Sequence, residues 1–118
     1  MNKEYVEQIR GILDTLDIPY QWHSFLTVPA SAHRFATYYI PKMSFDGDDL
    51  RAQYFDYTLD VNIFTRKYFK DEDMEFEEQL EELFRDYGKF TKTSGYDSSN
   101  ELFVSTYHFN FKEFFIEE

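Results

Sequence analysis

The sequence predicts an α+β fold: an antiparallel sheet of about four strands with two helices packed on one face, in the order α-β-β-α-β-β. Three observations lead there. In residues 54–69, YFDYTLDVNIFTRKYF, Phe55, Tyr57, Leu59, Val61 and Ile63 point one way, and Tyr54, Asp56, Thr58, Asp60 and Asn62 the other. A period of two is that of a strand with one dry and one wet face. Residues 102–115 repeat the design, with Phe103, Tyr107, Phe109 and Phe111 opposed to Thr106, His108, Asn110 and Lys112. Two other segments space their apolar residues by three and four instead, the mark of amphipathic helices.

The first helix covers residues 3–16, where Tyr5, Val6, Ile9, Ile12, Leu13 and Leu16 draw one stripe. Asn2 is placed to cap its start, and Ile18-Pro19 ends it because the residue before proline avoids the α region. Residues 21–35 lack a clean period and contain Pro29, so this stretch reads as mostly irregular, with room for a short strand near Trp22–Phe25. ATYYIPK, residues 36–42, reads as a strand closed by Pro41, followed by a polar loop centred on Asp46-Gly47-Asp48-Asp49. The long alternating strand then runs to about Phe64. After a crossing through residues 65–73, a second helix carries Phe76, Leu80, Leu83, Phe84 and Tyr87 on one face. Its acidic first turn suits the positive end of the helix dipole, and Gly88 is placed as its stop. Residues 89–93 make a short strand, GYDSSNE supplies turn chemistry, and the last strand closes the sheet.

The 118 residues make one domain, 1–118, with no linker, internal repeat or low-complexity tract. Aromatic residues are 21% of the chain, with 14 Phe and 10 Tyr, more than a core of this size hides, so some rings are expected at contacts between subunits. The formal net charge of −11 repels phosphate, which argues against sequence-specific nucleic-acid binding and against anionic membrane surfaces. With no cysteine there is no disulfide framework, thiolate metal site or cysteine nucleophile. The charged opening MNKEYVEQIRG is no secretory leader, and no apolar run approaches the roughly 20 residues of a membrane span. The expectation is a soluble protein made in the cytoplasm.

No catalytic pattern stands out, and neither an enzyme nor a bound cofactor is expected. His23, His33 and His108 are scattered, without the spacing that presents two imidazoles to one metal. The acidic loop fails as a calcium loop: counted from Asp46, its sixth and twelfth positions are Arg51 and Tyr57 where Gly and Glu are needed. No G-x-S-x-G, phosphate-binding loop or dinucleotide fingerprint occurs. The run Glu75, Glu77, Glu78, Glu81, Glu82 reads as the solvent face of the second helix.

The layout as a whole has a counterpart. A leading amphipathic helix precedes Tyr-Tyr-Ile-Pro at 38–41. A polar loop then leads into YTLDVNIFTR at 57–66, a helix with Leu80, Leu83 and Phe84 ends at Tyr87-Gly88, and a terminal strand carries VSTYHFNF at 104–111. In order, length and residue character this resembles the tail-completion, or tail-terminator, proteins of long-tailed bacteriophages and prophages, over roughly residues 3–114. The resemblance implies a structural protein that caps a finished tail tube and joins it to the head-neck. It would form a ring, commonly of six copies, around a DNA channel. Its partners would be other copies of itself, the tail tube protein and the neck or connector proteins, in the host cytoplasm during assembly and then in the virion tail. In such a ring the wet strand face carrying Asp56, Thr58, Asp60 and Asn62 becomes a candidate for the channel wall, and an acidic wall would not hold passing DNA. The loop residues Phe45, Asp46, Asp48 and Asp49 are candidates for subunit contacts.

A rival class is a small acidic inhibitor that mimics DNA by matching phosphate spacing with carboxylates. A mimic concentrates its acids on one exposed surface, whereas here Asp and Glu are spread along the chain among Lys and Arg. That distribution favours the structural reading.

Overall fold

The computed structural model describes residues 3–22, 32–47, 52–66 and 70–116. Its elements are α1 (Lys3–Thr15), β1 (Tyr20–Trp22), β2 (Arg34–Gly47), β3 (Ala52–Arg66), α2 (Asp71–Tyr87), β4 (Phe90–Asp97) and β5 (Leu102–Ile116). The strands form one sheet in the order β1-β2-β3-β5-β4. The fold is α+β, as the periodicities predict. Three details differ: the sheet has five strands rather than four, it is mixed rather than antiparallel, and the chain order is α-β-β-β-α-β-β.

The additional strand is β1, which runs parallel to β2 with Tyr20 opposite Ala36 and Trp22 opposite Tyr38. Three residues are too few to show a period; the short strand expected near Trp22–Phe25 is found earlier, at Tyr20–Trp22, and positions 23–25 lie outside the described residues. The chain reaches this position because α1 ends in a tight reversal. Leu16 N–H still bonds the Ile12 carbonyl, Asp17 takes a left-handed φ of 53°, and the Pro19 carbonyl accepts from Ala36 N–H at 2.8 Å. Aspartate is among the few residues that tolerate such a φ.

Pro41 does not close β2. Tyr39 pairs with Asp60 and Lys42 with Thr58, so three steps on β2 face two on β3: a β-bulge containing Ile40 and Pro41. Proline has no N–H to give the ladder, and a bulge accommodates that loss. The bulge also inverts the alternation. Thr37 and Tyr39 share a face with Asn62 and Asp60, but beyond the bulge Met43 and Phe45 turn to the side of Tyr57. The expected polar loop is therefore strand as far as Gly47, and β2, β3 and β5 continue together as an arm past Tyr57 and Phe111. The molecule is elongated, 53 × 27 × 21 Å.

Both helices cover one face. Ile9 and Leu13 of α1 and Leu80 and Phe84 of α2 are buried on Tyr38, Leu59, Val61, Ile63, Tyr107 and Phe109. Much of the aromatic content is spent here. Phe84 meets Phe109 edge-on at 5.1 Å, Tyr87 meets Phe109 at 4.9 Å, and Tyr5 stacks on Phe111 at 4.3 Å. Such contacts add to simple area burial. The Tyr87 hydroxyl donates to the Tyr5 carbonyl at 2.9 Å and ties the two helices together. Gly88 stops α2 as expected, its N–H bonding the Phe84 carbonyl, but in an extended conformation and not a left-handed one.

The start of α2 is fixed by a buried charge. Asp73 is 1% exposed; its carboxylate accepts from Lys70 N–H at 2.8 Å, from His33 Nε2 at 2.9 Å and from the Arg34 guanidinium, which also lies over the Phe76 ring at 3.9 Å. Burial works to raise this carboxyl, but the Lys70 N–H, Arg34 and His33 outweigh it and hold it below the usual carboxylate range. The acidic first turn thus does more than complement a dipole: it staples α2 to β2.

Candidate functional site

Two surfaces concentrate polar chemistry. The first is the sheet face opposite the helices, which carries all four channel candidates. Asp56, Thr58, Asp60 and Asn62 share it, as alternation along β3 predicts. They do not project into it freely. Asn62 donates through Nδ2 to Thr37 Oγ1 at 3.2 Å and accepts from the Thr106 hydroxyl at 2.6 Å. Asp60 Oδ1 lies 2.8 Å from His108 Nδ1, and His108 Nε2 lies 3.1 Å from Thr93 Oγ1. Asp60 is 7% exposed, so its carboxylate is embedded in this lattice. Asp56 stands opposite Lys112 in the register, and Thr58 opposite Asn110. Each carboxylate of this row therefore faces a cation or an imidazole across the β3–β5 ladder. Cross-strand pairs of this type are units of sheet stabilisation.

The Asp60–His108–Thr93 line has the order of an acid, base and hydroxyl nucleophile. Acyl-transfer chemistry also needs donors aimed at a developing oxyanion. The backbone N–H groups of β3 and β5 are spent in the ladder, and those of the edge strand β4 lie in the plane of the sheet. The line links β3, β5 and β4 through side-chain hydrogen bonds.

The second surface is a cleft of about 430 Å³ between α2 and the β4–β5 hairpin. Its floor is a connected polar cluster. Ser105 Oγ lies 3.1 and 2.8 Å from the two carboxylate oxygens of Glu77. Lys92 Nζ reaches Glu77 at 2.7 Å and Glu81 at 3.1 Å, and the Tyr107 hydroxyl donates to Glu81 at 3.0 Å. Partial burial of Lys92 lowers its proton affinity, but the bonds to Glu77 and Glu81 more than reverse this and hold the ammonium above its ordinary pKa. Burial, then the charges of Glu77 and Glu81, push the Tyr107 phenol far up. The rim is apolar: Met74 and Phe103 line it, and Tyr96 packs on Phe103 at 4.6 Å.

The charge run of α2 is thus not all solvent face, because Glu77 is 4% exposed and Glu81 is half-buried. A signal for this exists in the sequence. Asp73, Glu77, Leu80 and Phe84 recur at steps of four, three and four, which places both acids on the buried stripe. Lys92 and Ser105 likewise sit at dry-face positions of their strands, beside Phe90 and Tyr107.

Of the contact candidates, Phe45 is exposed on the arm together with Met43. Asp46 lies in β2 opposite Tyr54, its side chain outside the described set, and Asp48 and Asp49 lie outside the described residues. Among the described residues, no group of three or more His, Asp or Glu side chains is placed to hold a metal, and no helix is long and apolar enough to cross a membrane. No protein-family model matches the chain, and no curated protein is significantly similar to it.

Proposed function

We propose that the chain is a structural subunit of a long-tailed phage or prophage, a tail-completion protein that assembles as a ring on the tail tube and joins it to the neck. One observation carries the self-assembling part of this reading. Met43, Phe45, Met74 and Tyr96 each leave about half or more of their surface in water, and they fall into two pairs near opposite edges of the sheet. Exposed large apolar groups gathered at separate places mark interaction surfaces. The sheet edges beside them are also open: β4 has one strand neighbour, and β2 beyond Tyr38 has no outer neighbour among the described residues. Uncovered edges are templates for further pairing.

The face of Asp56, Thr58, Asp60 and Asn62 suits a channel wall for a reason different from simple acidity. Asp56 stands opposite Lys112 and Asp60 lies 2.8 Å from His108, so the face mixes carboxylates with their partners and does not concentrate the cations that hold DNA. Phosphate mimicry fits less well, because Asp60, Asp73 and Glu77 are buried and partnered where a mimic needs them exposed. Purified protein mixed with polymerised tail tubes tests the assignment. It should pellet with the tubes in an amount that follows the number of tube ends. Binding proportional to tube length, or none, would refute the assignment.

A further inference from the structure

We infer that the free edge of β4 and the α2–β4–β5 cleft beside it form one docking site for an extended, arginine-bearing segment of a partner protein. The segment adds to the sheet as a further strand and places an arginine side chain in the cleft. The inference goes beyond the ring reading and does not rest on it, because one copy of the chain carries the whole site.

The charge of the site is complementary to such a segment. Helix α2 holds nine acidic residues and one basic one, which accounts for eight of the chain's eleven net negative charges. Asp71, Glu75, Glu78, Glu82 and Asp86 are exposed at steps of four, three, four and four, so they run as a stripe along one side of the helix. Such a field raises the local concentration of cationic ligands. Within the cleft, Glu77, Glu78 and Glu81 stand against a single cation, Lys92, whose ammonium is held between Glu77 and Glu81. The cleft thus carries two net negative charges, and Glu78 is its exposed carboxylate.

The apolar lining selects arginine. Met74 and Tyr96 leave about half of their surface in water, and Phe103, on which Tyr96 packs at 4.6 Å, lines the wall. The methylenes of an arginine cover apolar surface, while its planar guanidinium stacks on rings and bonds carboxylates. At its start α2 already binds an arginine in this way: Arg34 lies over the Phe76 ring at 3.9 Å and bonds Asp73. The cleft offers the same pairing of ring and carboxylate, Phe103 with Glu78, to an arginine from outside.

Backbone chemistry makes the segment extended. Strand β4 is the last of the sheet, pairs with β5 over Phe90–Asp97 without a register shift and contains no proline. Its outer edge therefore presents a regular row of N–H and C=O groups, a template for a further strand. Gly95 leaves this strand bare in the cleft wall, although a Cβ there would meet nothing within 4 Å beyond its chain neighbours. Internal packing does not require that glycine, and a bare position in a regular strand marks a place where another backbone approaches closely. Lys92, Ser94 and Tyr96 alternate toward the helix side, so a strand added about 4.8 Å away turns every second side chain toward α2 and the cleft. Main-chain bonds then supply affinity and the cleft supplies selectivity.

The probe is a short peptide alternating threonine with arginine, its binding followed by fluorescence anisotropy at about 0.15 M salt. Glu78→Lys should weaken binding at least about tenfold, whereas Glu82→Lys, the same charge change on the same helix outside the cleft, should weaken it less than about threefold. A lysine counterpart of the peptide should bind more weakly than the arginine one. Amide hydrogen exchange of the wild type, which needs no variant, should slow within residues 91–97 when the arginine peptide is present and stay unchanged in β1. Equal losses from the two charge reversals would reduce the binding to diffuse attraction and overturn the inference. So would binding without protection of β4, lysine and arginine peptides of equal affinity, or no binding at all. Protection of β4 that rises with protein concentration in the absence of peptide would assign the edge to a second copy of this chain, and likewise overturn it.

Discussion

Replacing Asp73 by alanine should cost about 3–4 kcal/mol of stability. The carboxylate is 1% exposed and serves three donors: Lys70 N–H, His33 and Arg34. Loss of the capping acceptor for Lys70 N–H alone costs about 1 kcal/mol. Removing one partner of a buried ion pair typically costs about 3–5 kcal/mol, because the other charge is left desolvated. Arg34 keeps its place over Phe76 and 17% of its surface in water, and His33 is half exposed, so the lower part of that range applies. The total is a large share of the roughly 5–15 kcal/mol that holds a domain folded. Urea unfolding followed by circular dichroism, compared with wild type at pH 7, measures it. The difference should also depend on pH. The folded carboxyl titrates below its unfolded value, so its contribution is full above the unfolded pKa of about 3.9 and is lost as pH falls through the folded pKa. Wild type and variant should therefore converge in acid. A loss below about 1 kcal/mol at pH 7, or a gap that does not narrow in acid, would show that Asp73 does not staple α2 to β2.

Three further outcomes follow from the same structure. Lys92→Met should cost about 2–3 kcal/mol by leaving Glu77 buried without its cation, and adding Glu77→Leu should recover much of the loss; equal costs for the single and double variants in denaturant would contradict the coupling. Burial holds the Tyr107 and Tyr87 phenols far above the ordinary value near 10, so the stability they contribute is present below pH 10 and is lost as pH rises. In spectrophotometric titration at least these two of the 10 tyrosines should ionise only as the chain unfolds, and complete ionisation of the folded protein would be inconsistent with the core. Asp56→Lys combined with Asn110→Lys should make the polar sheet face basic without unfolding it. The assembled variant should then bind duplex DNA with a steep salt dependence that wild type lacks, and unchanged DNA affinity would remove this face from the channel.

The parts of the fold legible in the sequence are those with a long period. Helix α1, helix α2 and strands β3 and β5 each repeat their pattern several times, and the stripes of Ile9, Leu13, Leu80 and Phe84 and the dry face of Leu59, Val61 and Ile63 that they define meet in one core. The three residues of β1 carry no period. Pro41 points to a strand end by local chemistry, yet pairing with β3 on one side carries the chain past it by a bulge. That is tertiary structure overriding a local preference. The row Asp56, Thr58, Asp60 and Asn62 is legible as a shared face, but its bonds to Thr37, Thr106 and His108 depend on strand order, which alternation does not encode. The cleft was hidden by a different effect. A run of glutamates reads as solvent surface, and only its phase relative to Leu80 and Phe84 shows that Glu77 turns inward.

On the reading proposed above, copies of this chain close into a ring. Negative-stain imaging with mass photometry, across a concentration series and with tail tubes present, tests it most directly. Annular particles with an open centre, hexameric as the resemblance implies, are expected in solution at high concentration or at tube ends. A protein that remains monomeric or dimeric under every one of these conditions, and leaves tube ends bare, would contradict it.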